Sequence, residues 1–374
     1  MGKRTDFLYM SEQDMIDAGV NDAAKCVDVC EEVFKLLATG DYLMGGSNHN
    51  SHGLALVFPE TTPFPNMPVA GPDRRFVAMP AYLGGRFDIC GNKWYGSNAA
   101  NREHGLPRSV LTLVLNDKET GEPLAFQSAN LLSSARTGCI PGVACRYLAR
   151  KNSKVLAVVG CGAVNHACVA GIMSQVPTIE KIVCYNLTFA HGQQFADWAA
   201  ETFGVEAVCV KTCEEALAEA DLVSVAASRK APLVIEDEWV KPGTLMMLSG
   251  PMTAPDSLWE NTTMVWDNTK LHEAYVADAR ASEDYHKGYA AQIGGPVYEL
   301  IDQGKKEPLS EATDLGHIIL GEKQGRTSDD ERIIFIASGM AVFDLGWGYT
   351  LYQNALEKGI GQKLTLWDSP AQAE

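Results

Sequence analysis

The sequence predicts an α/β fold: a Rossmann-type, doubly wound parallel sheet preceded by a mixed α+β region. Val155–Val159 is an unbroken apolar run, the pattern of a strand buried on both faces of a parallel sheet. It leads directly into Gly160-Cys-Gly162-Ala-Val-Asn165, a glycine turn between a strand and a helix. Beyond it, strand and helix patterns alternate at the spacing of βα units: strands at 181–185, 207–210 and 222–226, helices at 193–203 and 212–220.

The region before this turn is less regular. Residues 23–37 read as an amphipathic helix, because Val27, Cys30, Val33, Phe34 and Leu37 recur at helical spacing and Gly40 closes it. Short strands are expected at 54–58, 76–80 and 109–115. The last passes through Asn116-Asp-Lys-Glu-Thr-Gly121 and resumes at 123–127 as a hairpin. A helix is expected over 131–150. After the alternating part come strands at 244–248 and 263–265, a helix start at Ser328-Asp-Asp-Glu331, and a long Ala/Gly-rich helix over 339–358.

The 374 residues suggest two domains, and 46% hydrophobic against 21% charged residues is a core-forming composition. A formal charge of −16 gives no electrostatic footprint for nucleic acid or an anionic membrane. It does not bar an anionic cofactor, which backbone N–H groups can hold locally. Ten dispersed cysteines without C-x-x-C read as thiols of a reducing compartment. No apolar run reaches spanning length, and the start, MGKRTDFLYMSEQD, lacks a secretory pattern, so a cytoplasmic protein is expected. His49-x-x-His52 sits on a loop without nearby acids, and no metal is expected there.

The turn at Gly160, Gly162, Ala163 and Val164 is expected to bind a dinucleotide: the first glycine makes the turn and the second lets backbone approach a pyrophosphate at a helix N-terminus. Asn165 replaces the usual small third residue, which predicts slightly looser helix–strand packing. The next strand ends in Asn186-Leu-Thr188, without the acid that usually holds a ribose 2′-hydroxyl. Asn186 and Thr188 could bond a 2′-phosphate instead. NADP is favoured, and NAD stays open.

The chain resembles the ornithine cyclodeaminase/mu-crystallin family over nearly its whole length. The resemblance rests on Cys90-Gly-Asn-Lys93, Asn101, Gly105-Leu-Pro107, Leu115-Asn-Asp-Lys-Glu-Thr-Gly121, Ser133-Ser-Ala-Arg136-Thr-Gly138, the glycine turn, Asp314-Leu-Gly316, Gly321, Gly325-Arg326, Ser338-Gly339 and Asp344-Leu345. It implies a dinucleotide-binding domain, 138–329, inserted in a substrate and dimerisation domain, 1–137 plus 330–374, and a homodimer. It also implies hydride transfer between nicotinamide and an amino acid or its imine. Lys93 matches the family's catalytic lysine, and Arg136 the arginine that grips a substrate carboxylate. Arg108 is a candidate second carboxylate ligand, with Arg74 and Arg75, because the matching N-terminal region lacks an arginine. Asp267, after a strand, either borders the pocket or caps a helix. Ser228 and Ser338 are expected beside the nicotinamide half of the cofactor. Cyclodeaminases carry an Asp where this chain has Pro251, which cannot bind an ammonium. Simple redox chemistry is therefore preferred. The alternatives are a cyclodeaminase with recycled NAD and a non-catalytic, mu-crystallin-like binding protein.

Overall fold

The computed structural model describes residues 2–227 and 233–372. In chain order it begins with β1 (Thr5–Met10), α1 (Glu12–Ala18), α2 (Ala23–Thr39), β2 (Tyr42–Met44), β3 (Leu54–Val57), β4 (Arg75–Leu83), β5 (Ile89–Ser97), β6 (Ser109–Asn116), β7 (Pro123–Ser128) and α3 (Asn130–Leu148). Then come β8 (Val155–Val159), α4 (Ala163–Met173), β9 (Lys181–Tyr185), α5 (Phe189–Phe203), β10 (Glu206–Val210), α6 (Cys213–Leu217), β11 (Leu222–Val225), β12 (Leu245–Leu248) and α7 (Asp256–Glu260). The chain continues through β13 (Thr263–Trp266), α8 (Thr269–Arg280), α9 (Tyr285–Ala290), α10 (Gly295–Asp302), β14 (Thr313–Asp314), α11 (Leu315–Ile319), β15 (Ile333–Ile336), α12 (Ala341–Lys358) and β16 (Gln362–Trp367).

Two compact units result. One holds the chain up to Asp22, Thr39–Arg136 and everything from Met340 on; the other holds Ala23–Ala38 and Thr137–Gly339. This differs from the expected division in two segments. Residues 330–339 fall in the second unit because Ile333-Ile-Phe-Ile336 is a buried strand there, paired with β12 and β13. The expected helix start at Ser328 is therefore corrected to a turn before β15: four consecutive apolar residues suit a fully buried parallel strand. Residues 23–38 join the second unit because α2 packs there, with Val27 near Gly142 and the Phe34 carbonyl near Gly316.

The first unit is built on an eight-stranded sheet in the order β16-β1-β7-β6-β5-β4-β2, with β3 also on β4. Its pairs are antiparallel except β1 with β7. Along β5, Ile89, Gly91 and Lys93 point inward by strand alternation. The α12 helix comes close to this sheet at two glycines. A Cβ on Gly348 would lie 2.4 Å from Leu113 Cδ2, and one on Gly91 would lie 3.3 Å from Leu345 Cγ. Gln127 Nε2 donates to the Gly348 carbonyl at 2.9 Å. Tyr9, Phe76, Trp94, Val110 and Phe126 are exposed, and Phe76 stacks on Trp94 with ring centroids 5.6 Å apart.

The second unit holds a parallel eight-stranded sheet, β10-β9-β8-β11-β12-β15-β13-β14. Its interior includes Trp259, Trp266, Tyr289 and Tyr298. The α4 helix meets the Thr137–Leu148 part of α3 backbone to backbone. A Cβ on Gly138 would lie 2.1 Å from the Ala167 carbonyl carbon, and one on Gly171 would lie 2.4 Å from the Gly138 oxygen. Among the described residues no helix is long and apolar enough to cross a membrane, and no disulfide forms. Replacing Gly171 by Val should force these helices apart and cost roughly 1–3 kcal/mol, as overpacking does. Urea unfolding reads this, and an unchanged midpoint would contradict the close approach.

Candidate active site

Lys93 lies in the middle of β5, between Met79 on β4 and Leu113 on β6, and is 3% exposed. Its Nζ donates to Asp344 Oδ2 at 2.9 Å and to Ser133 Oγ at 3.4 Å. Arg136, 4% exposed, comes from α3. Its Nε donates to Asp344 Oδ1 at 3.1 Å, and its Nη2 stands 3.0 Å from Oδ2. Asp344 itself sits in the first turn of α12 with no exposed surface.

Burial, reinforced by the Arg136 charge, brings the Lys93 ammonium down to about 8 against the pull of Asp344. Burial works to raise the Asp344 carboxyl, but Arg136 and Lys93 outweigh it and keep the group below its ordinary value. The cluster is two buried cations held on one buried anion. Asp344 contributes to the family resemblance in the sequence but is not among the expected site residues. Its signal was an acid inside the apolar run Ala341-Val-Phe-Asp-Leu345, since an acid is almost never fully buried unless paired.

Arg108 is not part of this cluster. Its side chain is half exposed and its Nε lies 2.6 Å from Asp73, which also holds Arg75 at 2.7 Å. Arg74 donates to the Val69 carbonyl at 3.1 Å. Arg108, expected as a second carboxylate ligand, stands in a surface ion pair with Asp73.

In the second unit, strand order reverses between β8 and β11, so the end of β8 lies at a topological switch point, where ligands bind in open α/β sheets. Gly160 has φ +90°, and a Cβ there would lie 2.8 Å from the Ala226 carbonyl. Gly162 is the N-cap of α4 and supplies no side-chain cap. A Cβ on it would meet nothing within 4 Å, and Ala163 and Val164 beside it are exposed. An open, uncapped helix N-terminus on a glycine turn at a switch point fits a dinucleotide pyrophosphate.

Asn165 does not loosen the packing as expected. It is buried, its Nδ2 donates to the Val159 and Gly160 carbonyls at 3.0 and 2.6 Å, and its Oδ1 accepts from Ser224 Oγ at 2.7 Å. The side chain replaces van der Waals fit with hydrogen bonds. Asn186 is also turned to the backbone: its Oδ1 accepts from Cys161 N at 3.1 Å and its Nδ2 donates to Thr188 O at 2.9 Å. Thr188 is the exposed N-cap of α5. Ser228 lies outside the described residues.

Asp267 is not the cap of α8, which is Asn268. Asp267 is 1% exposed, and both oxygens are occupied. Oδ1 accepts from Asn268 N and His272 Nε2, each at 2.9 Å, and Oδ2 accepts from Ser338 N at 2.6 Å and Gly339 N at 3.2 Å. His272 Nδ1 lies 2.5 Å from the Tyr298 hydroxyl. An acid accepting from three N–H groups and a ring nitrogen has no edge left for a substrate. Its effect is to fix the backbone of Ser338 and Gly339. Among the described residues no group of three or more His, Cys, Asp or Glu is arranged to hold a metal ion.

The chain is similar to known proteins over most of its length. A Staphylococcus aureus N-((2S)-2-amino-2-carboxyethyl)-L-glutamate dehydrogenase is 26% identical over 97% of this chain and 99% of its own length. An Archaeoglobus fulgidus alanine dehydrogenase is 32% identical over 78% and 83%. The structure of an archaeal alanine dehydrogenase dimer with bound NAD matches with a TM-score of 0.77 and 25% identity, over 97% of this chain and 100% of that one. The family model for ornithine cyclodeaminases and mu-crystallins matches residues 19–359, and the chain belongs to the ornithine cyclodeaminase/mu-crystallin family.

Proposed function

We propose that this protein is a nicotinamide-dinucleotide-dependent oxidoreductase acting on an amino acid or its imine. The assignment stands on the buried pair Lys93 and Arg136 facing one carboxylate. Two desolvated cations suit an anionic substrate; the Nε–Nη2 edge of Arg136 is held by Asp344, so a substrate carboxylate would be met by the other edge of the guanidinium. The relatives that act on alanine and on an amino-carboxyethyl glutamate support the substrate class.

A nicotinamide dinucleotide, when bound, supplies or accepts the hydride. Gly160 and Gly162 would admit its pyrophosphate, with the first N–H groups of α4 at Ala163 and Val164 facing it, while Asn165 and Asn186 brace the turn. Ser338 would line the nicotinamide side, its backbone set by Asp267. Arg136 would hold the substrate carboxylate and so aim the reacting carbon. In the reducing direction the C=N carbon gains hydride and the nitrogen must gain a proton. Lys93, with its ammonium brought down to about 8, is poised to give that proton near neutral pH and take it back in the oxidising direction. Pro251 in place of the cyclodeaminase Asp supports this over ring-closing deamination. The absence of an acid at Asn186-Leu-Thr188 supports NADPH as the preferred reductant.

The exposed Tyr9, Phe76, Trp94 and Phe126 support a homodimer through that apolar face, as the archaeal relative is a dimer. The ten thiols support a reducing, cytoplasmic setting.

Four outcomes are expected. Purified protein with NADPH should turn over at least one member of a panel of cyclic imines and keto-acid/amine pairs, followed by loss of reduced-nicotinamide absorbance. Lys93→Met should lower kcat by about 100-fold or more, the range for losing a general acid, with the NADPH dissociation constant unchanged; surviving activity would remove Lys93 from the chemistry. NADPH should bind more tightly than NADH in a fluorescence titration, and a clear NADH preference would reverse the cofactor assignment. Trp94→Glu should move the sedimentation profile from dimer to monomer, and a wild-type monomer would refute the apolar interface.

A further inference from the structure

We propose that Asp344 is the positioning residue of this site: it acts through Lys93, holding that side chain in its charged, proton-donating form, and it fixes Arg136 at the same time. This rests on the redox reading above.

Lys93 is enclosed from every side. Beside it in the sheet stand Met79 and Leu113, both apolar and buried. On its own strand the Tyr95 ring lies 5.8 Å from Nζ. From α3 come the Ser133 hydroxyl and the Arg136 guanidinium, and from α12 the Asp344 carboxylate. Desolvation and Arg136 both disfavour an ammonium here, and Asp344 is the single group in this set that favours it. Take the anion away and two neighbouring cations remain in a water-poor setting. Arg136 does not give up its proton, so Lys93 must.

The sequence separation strengthens the assignment. Asp344 lies 251 residues from Lys93 and 208 from Arg136, and it enters on the first turn of α12. At that end of a helix a carboxylate is also favoured by the macrodipole. The fold therefore delivers a stabilised anion to one spot, where it touches both candidate substrate-contacting residues. Asp344 itself has no exposed surface and is not offered to substrate.

The test uses Asp344→Asn, with Asp344→Ser as a smaller neutral variant. In the wild type, kcat/KM for imine reduction should fall above pH 8, as Lys93 deprotonates. In both variants this alkaline limb should move down by about one pH unit or more, at least about a fivefold loss at pH 8 that is largely recovered toward pH 6. NADPH binding, a property of the other unit, should not change. A variant whose limb stays in place while activity drops equally at all pH values overturns the proposal, and so does failure of both variants to fold, which would assign Asp344 to stability alone. If the wild type reduces nothing in the panel, the functional assignment fails instead. The inference is then read from pyrrole-2-carboxylate binding, whose affinity should weaken above pH 8 in the wild type and about a unit lower in the variants. Identical pH profiles would overturn it.

Discussion

A lysine and an arginine repel each other, and neither tolerates removal from water. Both are nevertheless buried here, on a strand and a helix that are neighbours in the fold, because a third element brings a carboxylate that touches each of them. Breaking such a buried set by deleting one member typically costs about 3–5 kcal/mol, since the remaining charges stay stranded. Much of the first unit is arranged around that requirement. Strand alternation must turn Lys93 inward, α3 must present Arg136, and the start of α12 must arrive with Asp344. The glycines at 91 and 348 keep the sheet and α12 near enough for hydrogen-bond contact.

The second unit meets its own constraint differently. A glycine turn is soft, and an open helix N-terminus leaves N–H groups without partners. Hydrogen bonds from Asn165 and Asn186 to backbone stiffen the turn, and the carboxylate of Asp267 stiffens the segment at Ser338 and Gly339. In the second unit buried polar side chains work on backbone, and in the first Asp344 works on two other side chains.

Much of this could be read in the sequence, for physical reasons. The βα alternation is written in local periodicity, and the turn in glycines whose need for φ > 0 or open space is local. Lys93 and Arg136 were singled out through resemblance, and the fold buries them around one carboxylate. Asp344 was not read as a partner, because pairing across more than 200 residues leaves no local trace. Ile333–Ile336 was missed because a capping-type motif just before it drew attention to a helix, and an isolated buried strand four residues long has no period of its own. Asp267 was read as a ligand or a cap because both live at strand ends; its actual partners, Ser338 and Gly339, lie 71 and 72 residues away.

On the function proposed above, the depth of the two cations also bears on how a substrate reaches them. A chain of formal charge −16 repels an anion at long range, while Lys93 and Arg136 attract it only on arrival. Salt screens the two effects unequally: the Debye length is about 10 Å at 0.1 M, so the diffuse repulsion fades while the desolvated contact persists. Added electrolyte should therefore quicken capture of an anionic substrate, the reverse of the usual behaviour of an enzyme that steers its substrate by surface charge.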